Sequence, residues 1–119
     1  MDKFTTAYIE TMLWSTTDNA DDSGGEPLDA NYGPDDIAAD TLAQIEKDCA
    51  AFQEEAGELI EGREGQAGHD FWLTREGHGA GFWDGEWEGE NLTDGPLCKM
   101  SKAYGSFDLY VGDDGKIHH

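Results

Sequence analysis

The spacing of apolar positions changes period along the chain, and each change marks a predicted element. Phe4, Ala7, Tyr8, Ile9, Met12 and Leu13 recur at three- and four-residue steps, which predicts an amphipathic helix over residues 5–14. Residues 15–33 lose all periodicity and are crowded with Asp, Asn, Ser, Gly and Pro, the composition of a long loop. Ala38, Leu42, Ile45, Cys49, Phe52, Ala56 and Leu59 then form a seam with alternating steps of four and three. It predicts one helix over residues 35–60, with Pro34 at its start, Asp35, Asp36 and Asp40 as first-turn acids, and Gly62 as its stop.

From residue 71 the period drops to two. Phe71, Leu73 and Arg75 alternate with Trp72, Thr74 and Glu76, Gly77 to Gly79 offers a tight reversal, and residues 80–84 return, which predicts a β-hairpin. Residues 92–104 read as a short helix with Pro96 in its first turn and Gly105 after it. Phe107, Leu109 and Val111 alternate as a strand, Gly112 to Gly115 turns, and Lys116-Ile117 starts a partner strand. The expected fold is a single α+β domain over residues 1–119, with three helices packed on a small antiparallel sheet of about four strands in two hairpins.

Charge alters this picture more than composition does. The chain carries 27 acidic and 7 basic residues, a formal charge of −20. The first 62 residues hold 16 acids and 2 bases, so the excess lies mostly in the N-terminal half. Direct nucleic-acid binding is disfavoured, because phosphate contacts are made by Lys and Arg. A basic partner would offset the self-repulsion of so acidic a surface; equally, such an excess can be simply a solvating surface. No apolar run reaches the length of a membrane span and the first residues lack an export-signal pattern, so a soluble, cytosolic protein with no membrane partner is expected. Cys49 and Cys98 have no CxxC spacing and sit in apolar helical segments, which suits buried thiols.

Candidate chemistry is sparse. Asn19, Asp21, Ser23 and Gly24 match the start of a calcium loop, but Ala30 stands where its closing glutamate belongs. His69, Asp70, His78 and Asp84 could be assembled into a metal or acid–base site, yet HExxH, CxxC, GxSxG and phosphate-loop patterns are all missing. No enzyme activity, metal or cofactor is therefore expected. Arg75, the only cation amid these aromatics, is expected to stack on Trp72 or Trp83 or to pair with an acid.

Off the apolar seam stand Asp40, Glu46, Asp48, Glu54, Glu55, Glu58 and Glu61, with Lys47 the single opposing charge and with Glu54–Glu58 and Asp36–Asp40 four residues apart. On a continuous helix that step is about 6 Å, comparable to the spacing of backbone phosphates. Asp21, Asp22, Glu86 and Glu88 offer a second acidic patch, with Trp87 as an exposed anchor in its midst or, equally, a lid folded back on the core.

Two stretches, AGHDFWLTREGHGAGFWD at residues 67–84 and LYVGDDGKI at residues 109–117, carry a family likeness. Residues 7–14 and 42–52 share it more loosely. The chain resembles a family of small, functionally uncharacterised proteins of tailed bacteriophages and prophages. That resemblance implies a phage origin. Together with the charge, it points to an anti-CRISPR or anti-restriction inhibitor that mimics nucleic acid and occupies the groove of a basic host effector, a CRISPR complex or a restriction enzyme. The alternative is a phage accessory protein that binds another protein through the aromatic hairpin, its acids serving solubility alone.

Overall fold

The computed structural model describes residues 1–18, 26–77, 82, 87 and 96–119. It holds four α-helices, α1 (Lys3–Ser15), α2 (Ala39–Ala56), α3 (Glu64–Arg75) and α4 (Pro96–Ala103). Two antiparallel ribbons accompany them, β1 (Thr17–Asp18) with β2 (Glu26–Pro27), and β3 (Tyr110–Val111) with β4 (Ile117–His118). The expected layer of helices on a four-stranded sheet is therefore wrong: the two ribbons are separate and short, and the core lies between helices. No helix among the described residues is long and apolar enough to cross a membrane.

The aromatic stretch is the largest correction. Residues 64–75 are helical, and the predicted first strand of the hairpin is the second half of α3. Residues 78–81 and 83–84, which would complete that hairpin, lie outside the described residues. Two-residue alternation misleads here because the second half of α3 is enclosed on every side: Asp70 and the whole run from Phe71 to Arg75 are buried, whereas Gln66 in the first half is exposed. A helix covered all round shows no apolar stripe, so its period is hidden. Helix α1 crosses it so closely that a Cβ on Gly68 would overlap the carbonyl oxygen of Phe4 and stand 2.9 Å from the carbonyl carbon.

Helix α1 begins where Asp2 caps it, accepting the Thr5 N–H at 2.8 Å. Phe4, Tyr8 and Met12 point inward. The Phe4 and Tyr8 rings join Phe52 of α2 and Phe71 of α3 in one cluster, with Phe52 and Phe71 stacked at 4.2 Å and Tyr8 edge-on to Trp72 at 5.3 Å. The predicted loop over 15–33 is structured at both flanks, since β1 pairs with β2 and Leu28 drops into the core.

The long predicted helix over 35–60 is shorter than expected. Pro34–Asp36 is a separate 3-10 turn in which Asp36 Oδ2 accepts the Gly33 N–H at 2.8 Å, and the chain is extended at Ile37 and Ala38 before α2 starts. At the other end Gly57, at φ 51°, breaks α2, and a 3-10 turn Gly57–Ile60 follows. The break exchanges the last seam position. Ile60 is buried and Leu59 is turned out, 51 % exposed.

Helix α4 lies within the span predicted for it, whose residues 92–95 are outside the described residues, but the C-terminal ribbon is shorter than expected: only Tyr110–Val111 of the strand predicted over 107–111 pairs, with Ile117–His118. The ribbon is tied to the start of α2 by the Ala38 N–H donating to the Ile117 carbonyl at 2.9 Å and by a bridge between Ile37 and Ile117. His118 and His119 are part of the fold: His118 packs on Tyr110, and His119 Nδ1 lies 2.8 Å from the buried Thr41 hydroxyl.

Candidate interaction surface

The acids singled out on α2 are accessible, but they do not form one rail. Asp40, Glu46, Glu54, Glu55, Glu58 and Glu61 are all exposed. Both pairs expected to repeat at a helical step are interrupted. Asp36 lies beyond the extended break at Ile37–Ala38, and Glu58 lies beyond Gly57. On α2 itself the outward positions between Asp40 and Glu54 include Ala43, Lys47, Ala50 and Ala51, so the negative charge is thin along the middle. Asp48 turns inward to Arg75 and is not part of the outer face.

Charge instead gathers at a corner. Glu54, Glu55, Glu58 and Glu61 leave the end of α2 and its following turn within eight residues, with Leu59 exposed among them. Glu64 opens α3 beside them, its Oε1 accepting the Gly62 N–H at 3.2 Å. A shallow groove of about 340 Å³ runs through this corner, lined by Gln53, Gly57, Glu58, Ile60, Glu61 and Glu64.

The second patch resolves differently. Trp87 is 4 % exposed, its indole N–H donates to Asp70 Oδ2 at 2.6 Å, and the Arg63 guanidinium lies 3.9 Å over its ring. It is a lid on the core and not an exposed anchor. Asp21, Asp22, Glu86 and Glu88 lie outside the described residues, as do His78 and Asp84. Among the described residues no group of three or more His, Cys, Asp or Glu is placed to hold a metal ion.

Two polar centres were only partly foreseen. Asp70, 2 % exposed, accepts from Trp87, from Gln66 Nε2 at 3.0 Å, and lies 2.9 Å from His69 Nδ1. A buried carboxylate needs such partners, and the neighbouring His-Asp pair in the sequence was its only sign. Trp14, 48 % exposed, lies beside the His69 ring at 6.1 Å.

Arg75 forms the other centre. Its side chain is buried, with Nη1 on Asp48 Oδ2 at 3.1 Å and on the Tyr8 hydroxyl at 3.0 Å, Nε on the Gly105 carbonyl at 2.9 Å, and Nη2 on the Tyr104 carbonyl at 3.3 Å. The rings it faces are Phe71, Tyr104 and Phe107, not Trp72. Expectation and structure agree on an acid partner; the partner is 27 residues away in sequence, which no local spacing reveals.

Burial sets the ionisation of groups around this core. It pushes the Tyr8 phenol far above its ordinary range and the Cys49 thiol up to about 12, so Cys49 stays protonated and inert. Cys98 is likewise buried. Half-burial raises the Glu76 carboxyl, although the Phe107 N–H donates to it and Arg75 is near. No protein-family model matches the chain, and no match was found among curated proteins or solved structures.

Proposed function

We propose that the chain is a phage-encoded anti-defence inhibitor that acts as an acidic mimic of nucleic acid, occupying the binding groove of a basic host effector of the CRISPR or restriction type in the host cytoplasm. The observation that carries this reading is the corner at the end of α2. Glu54, Glu55, Glu58 and Glu61 stand exposed there without a lysine among them, on a protein of net charge −20. Asp40 and Glu46 extend the negative face more sparsely along α2. Encounter between such surfaces is steered by charge, so it is fast and weakens with salt.

Among the aromatic side chains that the alternative, an accessory protein binding through its hairpin, would use, Phe71, Trp72, Phe82 and Trp87 are buried, and Trp83 lies outside the described residues. The decoy is tested with purified effector and the triple substitution Glu54→Lys, Glu58→Lys and Glu61→Lys. Because these positions are exposed, the variant is expected to fold with stability within about 0.5 kcal/mol per site of the parent. It should lose inhibition. Affinity of the parent should fall steeply between low and high salt. Undiminished inhibition by the triple variant, or an affinity indifferent to salt, would sink the proposal.

A further inference from the structure

Where α2, the end of α3, residues 104–108 after α4 and His119 meet, the packing leaves an open cavity of about 430 Å³. This is within the range of small-ligand sites. The buried Asp48–Arg75 pair forms its floor, Tyr104 and Phe107 supply rings, and Gln44 and Asp108 stand at the more exposed margin. None of the acids at the α2 corner lines it.

The hydrogen-bond inventory of this cavity is lopsided. Arg75 has already committed four N–H groups, to Gly105, Tyr104, Tyr8 and Asp48, out of about five that a guanidinium offers. Asp48 holds one partner on each oxygen, Gln44 at 2.8 Å and Arg75 at 3.1 Å, whereas a carboxylate accepts about four. The Gln44 amide oxygen, the Asp108 carboxylate and the Tyr104 hydroxyl add further acceptors. That hydroxyl makes no hydrogen bond among the described residues. Ser106 and His119 also line the cavity and can donate, but Arg75 has about one N–H left to give and acceptors are in surplus.

Charge and shape narrow the guest. Asp48 balances Arg75, leaving Asp108 as net charge at the rim. The Tyr104 phenol is raised, by burial first and then by the negative charges of Glu55 and Asp48. A guest rich in N–H donors and positively charged fits, and a flat one can lie against the half-buried Tyr104 ring, since Phe107 already packs on His119 and Arg75. A guanidinium meets all three conditions. It is weakly hydrated, planar, and tolerates stacking near another guanidinium better than a compact ammonium does.

We propose that this cavity binds a guanidinium group, taking its N–H groups on Asp48, Gln44 and Asp108 and its face on Tyr104. The site is independent of the inhibitor reading, since its probe is a small molecule and its readout is the isolated protein. The guest is either a free guanidine or an arginine side chain presented by another protein.

The test titrates agmatine into the intact 15N-labelled chain at neutral pH, with putrescine, which carries the same charge, as the control. Agmatine should move the amide signals of residues 104–108 and the Gln44 side-chain amide. It should bind about fivefold more tightly than putrescine, the factor expected of a ring–cation preference of about 1 kcal/mol. Asp108→Asn, an exposed change that keeps the fold, should weaken agmatine about threefold. N-acetyl-arginine methylamide separates the sources: saturation of the same signals assigns an arginine side chain as a sufficient guest, and binding of agmatine alone assigns a free guanidine. Equal affinity for agmatine and putrescine, or shifts centred on residues 54–61, overturns the proposal.

Discussion

Helices α2 and α3 lie against the same ring cluster, yet one could be read from the sequence and the other could not. Helix α2 has a wet side and a dry side, so Ile45, Cys49 and Phe52 recur at helical steps between polar neighbours. The second half of helix α3 is dry almost all round, and the residues that fill it, Phe71, Trp72, Leu73, Thr74 and Arg75, were chosen by contacts from several directions. A period is the imprint of a boundary with water. Where there is no such boundary, residue order reports packing and not backbone geometry.

The difference is sharpest where α3 carries polar groups inside. Removing Asp48 leaves the Arg75 guanidinium buried without its counter-charge, which costs about 3–5 kcal/mol when one partner of a buried pair is lost. Asp48→Ala should show this in denaturant unfolding. A loss below about 1 kcal/mol would mean that the carbonyls of Tyr104 and Gly105 suffice for Arg75. Next in size is Gly68→Ala. The added methyl meets the Phe4 backbone, which cannot swing aside, and the expected loss is about 1–3 kcal/mol. Ala43→Val on the outer side of α2 is the matched control, expected to change stability by less than about 0.5 kcal/mol. Equal effects at the two sites would erase the contrast between the helices.

Smaller effects concern the ends of the helices. Asp2→Ala removes the cap of α1 and should cost about 1 kcal/mol. At Asp2 burial acts upward but is outweighed by the Thr5 and Gln53 hydrogen bonds, so the folded carboxyl ionises below its ordinary value. Its contribution is present at neutral pH and is lost as pH falls through the acidic range below about 4. Glu76, at the end of α3, has the opposite sign. Its raised carboxyl makes the native state bind more protons than the unfolded one, so its contribution declines as pH rises above the ordinary glutamate value. Glu76→Gln keeps an acceptor for the Phe107 N–H and should flatten that decline. An unchanged pH slope in thermal unfolding would remove Glu76 as its source.

The same contrast explains what could be read of the candidate surface. Exposure of Glu54, Glu55, Glu58 and Glu61 followed from their positions off the seam. Their gathering at a corner did not, because it depends on Gly57 taking a left-handed conformation that ends α2 two residues short of Glu58. Helices α1 and α4 were legible for the same reason as α2: each has a side facing water, and Gly105 after α4 and the turn at Gly112–Gly115 are chemically marked, whereas the strand before that turn is shorter than its alternation suggested. Trp87 was not decidable, since its Gly and Glu neighbours look alike around a surface ring and around a lid; the buried Asp70 that receives its indole is distant in sequence.

Arg75 also imposes an order of events on synthesis. Its guanidinium depends on the Tyr104 and Gly105 carbonyls, which leave the ribosome about thirty residues after Arg75 itself. A nascent chain that ends before them holds a cation with only Asp48 and Tyr8 to receive it, so the domain is expected to close only once its last segment has emerged. A 1–103 fragment lacking native near-ultraviolet aromatic dichroism would bear this out, and a native-like spectrum would refute it.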